Sequence, residues 1–176
     1  MVASHEDMLK EVVEKTKKYD VADLEASIRK YDATFAKIDS DKDGFLCKDD
    51  LVKAAKELGE LVDESTVEGV YKKFDVNGSD TITLQEFLEV AVFNVVARFW
   101  RETMFEGVDD PTKGMTMADI DFLDISIDDA LAKDIAEADK DKNGFVDFEE
   151  FKVYLWADVK GVFGKIQWFK DFLYIL

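Results

Sequence analysis

The stretch Asp139–Glu150, DKDKNGFVDFEE, sets oxygen-bearing side chains at fixed offsets along one short loop. Asp139, Asp141 and Asn143 stand at the first, third and fifth places, Asp147 at the ninth and Glu150 at the twelfth. Gly144 holds the sixth place, where the chain turns sharply and a positive φ suits glycine. Phe145, at the seventh, offers its backbone carbonyl. A hard divalent cation takes roughly 6–8 oxygens at once, and these offsets supply them, with Glu150 closing the shell through both carboxylate oxygens. An acidic surface turn is the plain alternative. It needs no glycine at the turn and no regular spacing, so the loop reads as a calcium site.

The same pattern recurs upstream. Asp39–Asp50, DSDKDGFLCKDD, offers Asp39, Asp41 and Asp43 as side-chain ligands, Gly44 at the turn and the Phe45 carbonyl. Its last acid is Asp50, one methylene shorter than glutamate, which shifts preference toward the smaller, octahedral Mg²⁺. Cys47 falls at the ninth place, where water can substitute. Asp75–Glu86, DVNGSDTITLQE, places Asp75, Asn77, Ser79, the Thr81 carbonyl, Thr83 and Glu86 at coordinating offsets. Here Asp80 holds the turn and the glycine is Gly78; with two carboxylates facing the ion, a weaker site is expected. The sequon Asn77-Gly78-Ser79 reads as coincidence inside such a loop. A further copy, DDPTKGMTMADI at Asp109–Ile120, puts Pro111 and Lys113 at ligand places and Ile120 at the end, so no calcium is expected there.

The loops begin at Asp39, Asp75, Asp109 and Asp139, at intervals of 36, 34 and 30 residues. Apolar residues three or four apart flank them: Leu24, Ile28, Tyr31, Phe35 and Ile38 before the first, Val67, Val70, Tyr71 and Phe74 before the second. Helices are expected at Glu6–Lys18, from Val21, over Leu51–Leu58, from Ser65, from Phe87 to about Phe105, from Ser126 to Ala138, and from Phe148. The expected class is all-α: four helix–loop–helix units in two pairs, packed into a compact molecule. Residues 1–20 form a helical extension, 21–95 and 96–160 the two pairs, and 161–176 an apolar tail. Leu46, Ile82 and Val146 hold the eighth places, where paired loops form a short antiparallel bridge. Phe87–Trp100 is apolar on nearly every face, which marks a buried helix.

At this point the chain from Leu24 to Trp156 resembles the four-EF-hand proteins of the calmodulin superfamily. The N-terminal extension, the apolar middle helix and the apolar tail resemble the sarcoplasmic calcium-binding proteins. That resemblance implies three working sites of four, two halves packed together and a buffering role.

Charge and composition narrow the remaining classes. Forty acidic against twenty-three basic residues give a net charge of −17, which argues against nucleic acid or anionic membrane as partner. The single Cys47 excludes an intramolecular disulfide and suits a reducing compartment. The polar start MVASHEDMLK lacks an apolar signal core, and no apolar run is long enough to span a bilayer, so a cytoplasmic monomer is expected. With His5 as the only histidine and the acids at ligand offsets, catalysis is not expected. A calmodulin-like sensor of target helices is the alternative, although sensors favour Met-lined grooves and this chain has five Met. A photoprotein-like binder of an apolar small molecule, lined by Trp100, Trp156 and Trp168, is the weaker alternative. Of the residues Lys165–Leu176, eight are apolar, and Phe169, Phe172 and Leu173 are expected to fill the protein's own groove.

Overall fold

A computed structural model describes residues 4–57, 64–102, 137–166 and 169. The chain is all-α apart from one short bridge. Helix α1, His5–Thr16, starts at a reciprocal cap. Ser4 Oγ accepts from the Asp7 N–H at 3.2 Å, and Asp7 Oδ2 accepts from the Ser4 N–H at 3.1 Å. A tight turn at Lys17–Tyr19 and two left-handed residues, Asp20 and Asp23, redirect the chain into α2, Leu24–Ile38. Helix α1 buries a face of Met8, Leu9, Val12 and Thr16 and packs on α2. Each buried apolar side chain of this size is worth about 1.5–3 kcal/mol. The hydrogen bond of His5 with Asp32 at 2.9 Å and the exposed ion pair of Arg29 with Glu6 at 3.3 Å link the same two helices and fix orientation rather than supply much stability.

Strand β1, Phe45–Leu46, leads into α3, Lys48–Glu57; α4, Glu64–Phe74, is followed by β2, Ile82–Thr83, and α5, Leu84–Trp100. The strands pair antiparallel, Phe45 with Thr83 and Leu46 with Ile82, as the eighth loop places require. Leu46 and Ile82 are fully buried and join Phe35, Tyr71 and Phe87 in one core cluster, flanked by Tyr31, Ile38, Leu51, Phe74 and Leu84. Phe87 is its hub. The ring stacks on Phe74 at 5.0 Å and meets Phe35 and Tyr31 edge-on at 5.6 and 6.2 Å. Around α5 the residues Glu86–Val92 and Val95–Ala97 are all buried, as its uniformly apolar sequence requires. Glu86 and Glu89 are the charged exceptions, 7% and 3% exposed, and Glu89 Oε1 accepts from Gln85 Nε2 at 2.6 Å.

Helix α6, Phe148–Phe163, runs through Gly161 and ends in a turn at Gly164–Lys165. Among the described residues two compact units separate. One holds those up to Val92 together with Val162–Ile166 and Phe169; the other holds those of Phe93–Gly161. In the second, Phe93 meets Trp156 edge-on at 5.2 Å and Trp100 meets Phe151 at 5.9 Å. Among the described residues no helix is long and apolar enough to cross a membrane. The degenerate loop at Asp109, the helix expected from Ser126 (save Glu137 and Ala138, which are helical), Trp168, and Phe172 and Leu173 lie outside the described residues.

Among the described residues one buried group stands unpaired. The Tyr71 hydroxyl has no hydrogen-bond partner, and the residue is 2% exposed. Burial, reinforced by Asp75, Asp80, Cys47 and Glu86, pushes its pKa from the ordinary 10.0 up to about 12. An unpaired buried hydroxyl destabilises the fold, so Tyr71→Phe, which keeps the ring, is expected to raise stability by about 1 kcal/mol in urea unfolding at neutral pH. The sign with pH is also set. Between the ordinary tyrosine value and the raised one, the unfolded chain has lost a proton that the folded chain retains, so stability falls as pH rises through that window. The variant should lose this part of the alkaline slope. A destabilisation of about 1 kcal/mol or more would show instead that the hydroxyl has a partner.

Candidate metal centre

The described loops share one backbone design. The first carboxylate of each accepts N–H groups from the fifth and sixth places. Asp39 takes those of Asp43 and Gly44 at 3.2 and 3.0 Å. Asp75 takes those of Ser79 and Asp80 at 3.0 and 3.1 Å. Asp139 takes those of Asn143 and Gly144 at 3.2 and 3.0 Å. The chain is therefore wound around its first ligand, and the third and fifth side chains tighten the coil. Asp41 accepts from Asp43 at 3.3 Å and Asp43 from Phe45 at 2.9 Å. Asp141 accepts from Asn143 at 3.1 Å, and Asn143 from Phe145 at 2.8 Å.

The twelfth acid links loop to helix. Glu150 Oε2 accepts from the Asp147 N–H at 3.1 Å while Asp147 Oδ1 accepts from the Glu150 N–H at 2.8 Å, a capping box that starts α6. Thr83 and Glu86 do the same for α5 at 3.0 and 3.2 Å. The other oxygen reaches the loop's front: Glu150 Oε1 to the N–H of Lys140 at 2.8 Å and of Asp141 at 3.3 Å, Glu86 Oε1 to that of Asn77 at 3.4 Å. Loop one differs. Asp50 Oδ2 holds the Cys47 N–H and thiol, each at 3.0 Å, and Ser40 Oγ donates to Asp50 Oδ1 at 2.8 Å. Burial pushes the Asp50 carboxyl up, but the hydrogen bonds from Cys47 and Ser40 outweigh it and leave it below the usual aspartate range. The Cys47 thiol is pushed up, first by its bond to Asp50 and then by burial, so it is not an activated nucleophile.

Two carboxylate clusters result, Asp39 with Asp41 and Asp43, and Asp139 with Asp141 and Glu150, each offering oxygens within 4.8 Å of one another. Like charges this close repel, and a divalent cation among them removes the repulsion. The donors are all hard oxygens, which fits calcium. In loop two only Asp75 and Glu86 bring charge. There Ser79 Oγ donates to the Thr81 carbonyl at 3.0 Å, so two of the expected ligands are tied to each other.

The backbone also explains a feature the sequence hid. Lys42, Gly78 and Lys142 at the fourth place have φ of +60, +71 and +58°, and Gly44, Asp80 and Gly144 at the sixth have +87, +61 and +87°. Both places are left-handed in all three loops. Gly78 is thus not a displaced turn glycine but a glycine at the other left-handed place, and Asp80 fits the sixth because its φ stays within the αL region open to aspartate. Ser40 was equally invisible to motif reading, since the second place carries no ligand rule.

Comparisons with known proteins agree with this geometry. A family model described as an EF-hand domain pair matches residues 29–92, and one described as an EF hand matches residues 132–156. The 16 kDa calcium-binding protein of Schistosoma mansoni is 31% identical over 138 residues, covering 72% of this chain and 94% of that protein. Calcineurin B of Naegleria gruberi is 29% identical over 138 residues, covering 70% and 76%. Calmodulin-like protein 9 of Arabidopsis thaliana is 26% identical over 141 residues, covering 74% and 92%.

A paired substitution isolates the backbone term. A Cβ built on Gly144 or on Gly161 meets nothing within 4 Å, so neither variant suffers a clash. Gly144→Ala is expected to cost about 1–2 kcal/mol in the calcium-free protein, all of it from the left-handed φ. Gly161→Ala, inside α6, should stabilise by about 0.5–1 kcal/mol. Denaturant midpoints measure both; equal effects of the two would refute the conformational argument.

Proposed function

We propose that this chain, which belongs to the EF-hand family of calcium-binding proteins, is a cytoplasmic calcium buffer or self-contained signal modulator that takes up about three divalent ions. The ions occupy the loops at Asp39, Asp75 and Asp139, and the loop at Asp109 takes none. The observation that carries the reading is the winding of each described loop on its first carboxylate, with N–H groups of the fifth and sixth places already in position. A site wound in advance spends little binding free energy on ordering its own backbone. That suits a buffer, which binds without a large conformational change. The burial of Glu86–Val92 and Val95–Ala97 on α5 favours the same reading, as does the resemblance to sarcoplasmic calcium-binding proteins. The protein works by binding rather than catalysis, as a monomer, and without nucleic acid as partner. The sensor reading is the second, favoured by relatives named calcineurin B and calmodulin-like protein.

Titration calorimetry on the calcium-free protein should give about three equivalents, and Glu150→Gln should remove one. A fourth equivalent, or unchanged stoichiometry in the variant, overturns the assignment.

Loop one is the most Mg²⁺-tolerant site in this reading, because its last acid is an aspartate engaged by Ser40 and Cys47. In millimolar Mg²⁺ its calcium titration should be displaced furthest, and Asp50→Glu should restore the preference for Ca²⁺. Equal displacement at all three loops in both proteins would defeat the argument.

A further inference from the structure

The end of α6 changes company. Most of the helix belongs to the unit of Phe93–Gly161, which carries the loop at Asp139, yet Val162, Phe163, Ile166 and Phe169 belong to the unit that carries the loops at Asp39 and Asp75. The turn that brings this about is closed by backbone bonds, the Lys165 N–H donating to the Val162 carbonyl at 3.1 Å and the Ile166 N–H to the Phe163 carbonyl at 3.0 Å. Gly164 and Lys165 stay exposed at its tip. The four apolar side chains do not: Phe163 and Ile166 are fully buried, and Val162 and Phe169 are 7% and 4% exposed. Phe163 and Phe169 stack on one another at 6.0 Å with their planes 26° apart, so the segment forms a single apolar plug.

The receiving unit has a face that calls for such a plug. Phe87 turns one side of α5 into the core beneath the β1–β2 bridge. Leu88 and Val92, on a different side of the same helix, are 0% and 1% exposed and lie outside that cluster. A second apolar face is therefore covered, and the segment after α6 is an apolar segment of the same unit.

We propose that Val162–Phe169 is a built-in ligand of the EF-hand pair bearing the loops at Asp39 and Asp75. Seating of the segment and occupancy of those two loops then reinforce each other. The inference rests on the reading that both loops hold ions. Even the slight rearrangement of a buffer-type EF-hand pair on binding calcium alters its apolar groove, so an occupant that fits the loaded form better favours that state. By linkage, losing the occupant weakens calcium binding at the same two loops and leaves the loop at Asp139 unaffected.

Two measurements on the full-length chain test this. In calcium-loaded protein, methyl and ring NOEs from Ile166 and Phe169 are expected to residues of 4–92; NOEs solely to residues of 93–161 overturn the placement, whatever the ions do. Calorimetry on Ile166→Ser/Phe169→Ser should then show three ions bound, two of them weakened by roughly fivefold or more and the third unchanged. Ile166→Val, which keeps the side chain apolar, should leave all three affinities in place. Unaltered affinities at full stoichiometry in the double variant defeat the coupling while the ion assignment stands. Loss of binding at the first two loops in the unmodified protein defeats the ion assignment and the coupling together, and the NOEs still report the seat. Weakening confined to the loop at Asp139 also overturns the proposal.

Discussion

Each described loop depends on one carboxylate that has two tasks. Glu86 and Glu150 use one oxygen to hold the N–H of the ninth residue and so start α5 and α6, while the other reaches the front of the loop. A carboxylate has about four lone-pair sites, so the cap and a cation can share it. Loop and outgoing helix are consequently one unit: the last three residues of the loop are the first three of the helix, and the acid at the twelfth place also starts the helix. The aspartate variant of this arrangement is Asp50. Its shorter arm still caps at Cys47, and at the front it is met by the Ser40 hydroxyl. Lys53 Nζ donates to the same hydroxyl at 3.3 Å, so the substitute contact is itself anchored from α3.

The backbone sets the second constraint. Two left-handed residues two places apart wind each loop, and a glycine at either one relieves only half of the strain. Loops one and four keep glycine at the sixth place and accept lysine at the fourth; loop two does the reverse with Gly78 and Asp80. The two solutions produce the same pattern of N–H groups converging on the first acid. Equivalence of the backbone does not make the loops equal as sites, because ligand charge is set by the side chains. Loop two brings two carboxylates where the others bring at least three, and its Ser79 hydroxyl is engaged with Thr81.

Much of this was legible in the sequence for a physical reason. Ligand offsets, the turn glycine and the apolar eighth residue are local requirements, so Asp39, Asp75 and Asp139 announce their loops and Leu46 and Ile82 their bridge. The apolar run Phe87–Trp100 likewise marked α5 as a buried helix. Features set by a second contact were not legible. Helix α3 begins at Lys48 rather than Leu51 because the cap reaches back into the loop. Gly161, the expected start of the apolar tail, lies inside α6, since a solvent-facing glycine weakens a helix without forbidding it. The Tyr71 hydroxyl, the role of Ser40 and the left-handed fourth place depend on neighbours that no motif specifies. The division of the described residues into units depends on packing at long sequence separation, which a local pattern does not encode.

The bridge between loops one and two bears on how their sites behave together. Leu46 and Ile82 each belong to a loop through the backbone and to the core through the side chain, and both are fully buried against Phe35, Tyr71 and Phe87. Core packing near crystal density leaves little room for one of them to shift alone. The two loops are therefore joined through the paired residues to each other and to Phe87 on α5. Phe87 follows Glu86, the acid that completes loop two, directly in sequence. The acid that ends loop two and the ring at the centre of the core are thus neighbours on one helix, so loop and core share a stretch of backbone.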